Sequence, residues 1–98
     1  MAESELIQVI NKQTGIELPA DISMEKLRQK LVIFINHLIQ NDFSNLVSIL
    51  YKIDVDEGKL KRVLREDAGK DAAGIIADLI LERELQKIES RKLFKGKK

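Results

Sequence analysis

Apolar residues return at three- and four-residue intervals along most of this chain, the spacing of one helix face, and alternating stretches bounded by turns are missing. The pattern predicts five helical segments. Residues 4–13 place Leu6, Ile7, Val9 and Ile10 on one face. Thr14 and Gly15 supply the stop, because glycine accepts the left-handed conformation that ends helices. Residues 16–19 read as an extended connector, since Pro19 disfavours helical geometry at Leu18. Residues 24–40, capped by Ser23 or Asp21, align Leu27, Leu31, Phe34, Ile35 and Leu38, widened by Val32 and Ile39. So broad a stripe predicts the central helix of the core. After a break at Asn41 and Asp42, residues 43–53 bury Phe43, Leu46, Val47, Leu50 and Ile53. Asp56 caps a short segment over residues 57–65, with Leu60, Val63 and Leu64 inward. A turn over residues 66–70 leads to Asp71, which caps the longest segment, residues 72–94.

The expected fold is therefore all-α, an irregular bundle of about five helices with a long C-terminal helix. Residues 1–94 form one helical domain and residues 95–98 a frayed basic tail. Leu31, Phe34, Ile35, Leu38, Phe43, Leu46, Leu50, Leu64, Ile75 and Leu79 are expected to be buried together. The last segment differs from the others in carrying two apolar stripes. Ala72, Ile75, Ile76, Leu79 and Ile80 make one, and Ala77, Leu81, Leu85 and Ile88 a second, more than a quarter turn away. Either the first helix folds back over the second stripe, or a partner chain covers it. The small residues Ala72, Ala73, Gly74 and Ala77 admit a close helix neighbour, and the first helix is short. Leu81, Leu85 and Ile88 are accordingly the expected contact with a second copy or another protein.

Composition narrows the chemistry. The 98 residues are one domain's worth of chain. The chain has no cysteine, which removes disulfides and thiol chemistry and fits a reducing compartment. The acidic start is unlike a secretory signal, Ala2 stands where myristoylation needs glycine, and the longest apolar run, residues 31–35, is far too short for a membrane span. A cytoplasmic protein without a membrane partner is expected. Seventeen basic residues face sixteen acidic ones, so no whole-chain field draws in nucleic acid. Only residues 87–98, with six basic residues and one acidic, depart from balance.

Four patterns resemble functional sites. Residues 54–58 open like a calcium loop, but Lys59 stands where the sixth position requires glycine and Arg65 where the twelfth requires glutamate. An inter-helix turn is the better account. Residues 49–64 resemble a helix-turn-helix in their apolar framework, with Val55 in the turn. Lys59, Lys61, Arg62 and Arg65 would be the nucleic-acid contacts. Against this, Asp54 replaces the usual glycine, Leu50 a small residue, and Asp56 and Glu57 stand where phosphates must approach. His37 lies on a polar helix face without a carboxylate or nucleophile near it in sequence, as a solvated histidine would. Asp78, Glu82, Glu84 and Glu89 lack the Glu-x-x-His pairs of a di-metal bundle and read as a charged flank. No catalytic residue, metal or cofactor is expected.

The stretches 41–43 (Asn41, Asp42, Phe43), 51–57 (Tyr51 to Glu57) and 77–87 (Ala77 to Lys87) resemble a group of small, uncharacterised bacterial all-helical proteins without an assigned function. The resemblance implies a bacterial, cytoplasmic helical protein and no particular activity. Together these observations favour a non-enzymatic interaction module, either a homodimer or an adaptor that binds a partner. The alternative is a nucleic-acid-binding protein using residues 49–64 and the basic tail.

Overall fold

A computed structural model describes residues 4–66 and 71–95. Among them lie five helices: α1 (Ser4–Thr14), α2 (Met24–Asn41), α3 (Phe43–Ile53), α4 (Glu57–Glu66) and α5 (Ala72–Lys95). The architecture is all-α, with the long helix last. Residues 96–98 of the expected tail lie outside the described residues, as does the side chain of Leu64.

The helix ends follow local chemistry. Gly15, at φ 81°, takes the left-handed conformation that closes α1. The Ser23 hydroxyl accepts the Lys26 N–H and starts α2. Asp42 works twice: its own N–H donates to the Leu38 carbonyl at the end of α2, and its carboxylate accepts the Asn45 N–H at the start of α3. The connector after α1 is fixed by a clasp. The Asn11 amide donates to the Leu18 carbonyl at 3.2 Å and accepts the Leu18 N–H at 2.8 Å. That clasp lets Leu18 and Ile22 turn inward, and both are buried.

The core joins Leu6, Ile7 and Ile10 of α1, Leu27, Leu31, Ile35 and Leu38 of α2, and Leu46, Ile49 and Ile53 of α3 to α5. The centre is α5, not α2. α5 packs against each of the other four helices, whereas α2 packs against α5 and α3. This accounts for the two stripes of α5, because a helix surrounded on several sides is apolar on several sides. Ala73 and Ala77 are fully buried, and their small side chains let α2 approach. Gly74 lies under Arg28 of α2, where a Cβ would stand 3.2 Å from a guanidinium nitrogen and 2.5 Å from the Asp71 carboxylate.

Leu81 and Ile88 belong to this core, and Leu85 packs against it. The exposed patch expected there is absent: Leu81 and Ile88 are buried within the single chain and Leu85 is half-buried. α1 packs on α5, and an Arg91–Glu5 ion pair at 2.8 Å ties it to the C-terminal half. Of the other residues expected in the core, Leu31, Ile35, Leu38, Leu46 and Leu79 are buried, and Phe34, Leu50 and Ile75 are half-buried. Phe43 is 60% exposed, because α3 turns Leu46, Ile49 and Ile53 inward instead.

The acidic flank of α5 is likewise redistributed. Asp78 bonds Arg28 of α2 at 2.8 and 3.2 Å, and Glu82 bonds Lys59 of α4 at 2.9 Å. The hydrogen bond to Asp78, then its charge, raises the Arg28 pKa above the ordinary value; Asp71 adds to this and burial opposes it. Such exposed pairs contribute little stability each; they join different helices to different turns of α5. Glu84 differs: it sits in the middle of the buried band, 1% exposed, with Lys87 Nζ 3.4 Å from its Oε1.

Two predictions test this core. Leu31→Ala is expected to lower stability by about 2–5 kcal/mol in chemical denaturation, the range for fully buried leucines. Lys87→Met is expected to destabilise more than Glu84→Met. Without Glu84 the partly exposed Lys87 ammonium can reach water, whereas without Lys87 the Glu84 carboxylate stays buried without its ionic partner. Equal unfolding midpoints for the two variants would contradict the placement of Glu84.

Candidate functional site

α3 carries more apolar surface than one seam can bury, with seven large apolar residues in its 11 positions. Leu46, Ile49 and Ile53 take the inner face. Phe43, Val47 and Tyr51, at i, i+4 and i+8, form a second row about a quarter turn or more away. This row is exposed by 60%, 50% and 87% respectively. Isolated exposed hydrophobics are ordinary, as with Ile33 on α2, but three in one row make a patch.

The row borders a groove of about 510 Å³ between α3 and α4. Leu46, Leu50, Val55, Leu60 and Ile76 make its apolar lining. The groove stays open because of how the α3–α4 turn is held. Asp54 closes α3 at φ 65° and ψ 47°, a left-handed conformation that Asp tolerates better than most side chains. Its N–H reaches back to the carbonyls of Leu50 and Tyr51. Arg83 of α5 then grips the turn from outside, with Nε on the Asp54 carbonyl at 3.0 Å and Nη2 on its carboxylate at 3.2 Å. Asp56 caps α4 by accepting the Lys59 N–H at 3.1 Å. Lys59 in turn reaches Glu82 on α5. Both ends of the connection are anchored on α5, and α4 packs against α5. Among the described residues, α3 and α4 are not a packed pair.

The groove's mouth is charged asymmetrically. Asp54, Asp56 and Glu57 cluster where α3 ends and α4 begins, and Lys61 is the cation on the lining. The feature can therefore hold apolar side chains along its length and favours positive charge at the turn.

Of the expected nucleic-acid contacts, Lys61, Arg62 and Arg65 are exposed on α4, while Lys59 is half-buried and committed to Glu82. A helix-turn-helix packs its two helices against each other; here a groove separates them. His37 is exposed, with Nδ1 3.2 Å from the Asn41 amide nitrogen one turn away. In the loop that opens like a calcium site, the Asp54 carboxylate is bonded to Arg83 and that of Asp56 to backbone. Among the described residues no three His, Asp or Glu side chains group so as to hold a metal ion, and no helix is long and apolar enough to cross a membrane.

Periodicity misses the α3 row because it places Phe43 and Val47 on the buried stripe with Leu46, Leu50 and Ile53, and leaves Ile49 and Tyr51 off it. The available signal was the number of apolar residues: an arc holding Phe43, Val47 and Tyr51 as well as Ile49 is too wide for one side of a helix. Comparison with protein-family models, with curated proteins and with solved structures finds no match to this chain.

Proposed function

We propose that the protein is a non-enzymatic, cytoplasmic protein–protein interaction module whose docking surface is the α3–α4 groove and the row beside it. The occupant is a short helical or extended segment of another polypeptide that carries apolar side chains next to lysine or arginine. One observation carries this reading: Phe43, Val47 and Tyr51 stand exposed together along the edge of a preformed apolar groove. Tyrosine at 87% exposure supplies a large, stiff contact surface with a polar tip, the residue type that dominates binding energy at interfaces. The acidic turn supplies orientation, since a basic flank is attracted to Asp54, Asp56 and Glu57 and an acidic one is repelled. A cytoplasmic setting is supported by the absence of cysteine.

The test is an NMR titration of the labelled protein with a designed amphipathic peptide, leucine on one face and lysine on the other. Amide shifts are expected to cluster on α3 and α4. Tyr51→Ala is expected to weaken binding about tenfold, equivalent to roughly 1.4 kcal/mol, without changing the helical signal. An all-acidic peptide of the same apolar face is expected to bind more weakly. Shifts scattered over α1 and α2, or none, would count against the reading. A low-salt gel shift that is lost in Lys61→Ala and Arg62→Ala would replace it with nucleic-acid binding, which weakens steeply with salt.

A further inference from the structure

We propose that the segment filling the groove is the C-terminal end of α5, with the basic residues after it, from a second copy of this chain. The inference rests on the groove being a docking surface and adds the identity of the occupant.

The two surfaces match in chemistry. Leu93, in the last turn of α5, is 65% exposed, so the helix ends with a large aliphatic side chain outside the core. Phe94 follows it in sequence, and Lys95, Lys97 and Lys98 come after this pair. The groove offers apolar walls and, at its mouth, Asp54, Asp56 and Glu57. An apolar pair followed by lysines is thus set against an apolar trough ending in carboxylates. At 0.15 M salt charges on the two copies act across about 8 Å, enough to align the segment as it approaches.

Geometry assigns the occupant to another copy. Arg83 of α5 is bonded to Asp54 at the mouth of the same chain's groove. Leu93 lies ten residues further along the same helix, about 15 Å away at 1.5 Å per residue. Ile76, in the groove lining, is further still from it. α5 runs to Lys95, about 18 Å beyond Arg83, and the three residues after it span at most roughly 11 Å when fully extended, so the chain falls short of its own acidic turn, and Leu93 itself is fixed on α5. Leu93 therefore cannot enter its own groove while α5 is intact, but it can enter a neighbour's. The contact joins two different surfaces, so it propagates head to tail unless two copies exchange ends reciprocally.

Sedimentation of the full chain over a range of concentrations tests this, with tyrosine emission as a local probe. Tyr51 is the one tyrosine in a chain without tryptophan, so its emission reports on the groove. The wild type is expected to self-associate, and its tyrosine emission to change over the same concentrations. Leu93→Glu and Tyr51→Ala alter exposed side chains outside the core, and each alone is expected to weaken association at least about tenfold. Their equimolar mixture is expected to form a one-to-one pair and nothing larger, because one variant keeps an intact groove and the other an intact end. Glu57→Lys and added salt are both expected to weaken association. A monomeric wild type at every concentration, or association unchanged by Leu93→Glu, would overturn the proposal. If the wild type is monomeric but the designed basic peptide still binds α3 and α4, only the second copy is excluded. If that peptide fails as well, the docking surface itself is excluded.

Discussion

The enclosure of α5 by the other four helices is the constraint on which the rest of this structure depends. A helix surrounded in this way cannot offer the same surface to each neighbour, and α5 does not. Near its start, Ala73 and Ala77 give α2 a close approach, and Arg28 lies over Gly74 to reach Asp78. In its middle, Glu82 and Arg83 reach Lys59 and Asp54 and hold the α3–α4 connection. Towards its end, Ile88 is buried and Arg91 meets Glu5 of α1. Burial supplies the stabilisation, at roughly 1.5–3 kcal/mol for each large aliphatic side chain. The exposed ion pairs add little to that, and each joins a different neighbour to a different turn.

The open groove is a consequence of that arrangement. With Leu46, Ile49 and Ile53 of α3 in the core, the remaining apolar side of α3 faces outward. α4 could cover it only by folding down onto α3. Instead Lys59 and the Asp54 turn bind α4 and its connection to α5. The left-handed Asp54 costs on the order of 1 kcal/mol or more for a residue other than glycine, and the two hydrogen bonds from Arg83 offset this. The same guanidinium thus stabilises the turn and keeps the trough from closing.

Much of this was legible in the sequence, and what was not has identifiable causes. Helix ends are set by short-range chemistry, so Gly15, Ser23, Asp42 and Asp56 mark them before any packing is known. α3 begins and ends where its cap and break residues place it. Faces are set by neighbours, and there periodicity reaches its limit. On α5, apolar residues on several sides pointed to a second chain, when the missing information was that α1 and α2 both pack against the helix. On α3, the apolar arc was centred too close to Phe43, because the arc alone does not say which part a neighbour fills. Glu84 could not be singled out among four acidic residues of one helix. Its burial depends on where α5 sits, and a glutamate one turn either side would have had the same sequence context. The Asn11 clasp on Leu18 joins residues seven apart across a turn, a pairing that no helical or strand spacing encodes.

The charge layout bears on what such a surface recognises. A phosphate backbone approaching α4 by its N-terminal end would meet Asp54, Asp56 and Glu57 before any cation, and Lys59 is already held by Glu82. The remaining cations of α4, Lys61, Arg62 and Arg65, are exposed, but only Lys61 borders the groove. The helix dipole does not reverse this, because the positive end of α4 is occupied by its own Asp56 cap. The apolar row points the other way. Phe43, Val47 and Tyr51 gain little from a polyanion, whose outer surface is hydrated, and gain burial from an aliphatic or aromatic side chain laid across them. In the proposed docking, the acidic turn would select among polypeptides by sign, the groove's shape favouring an apolar segment and its mouth one with a basic flank.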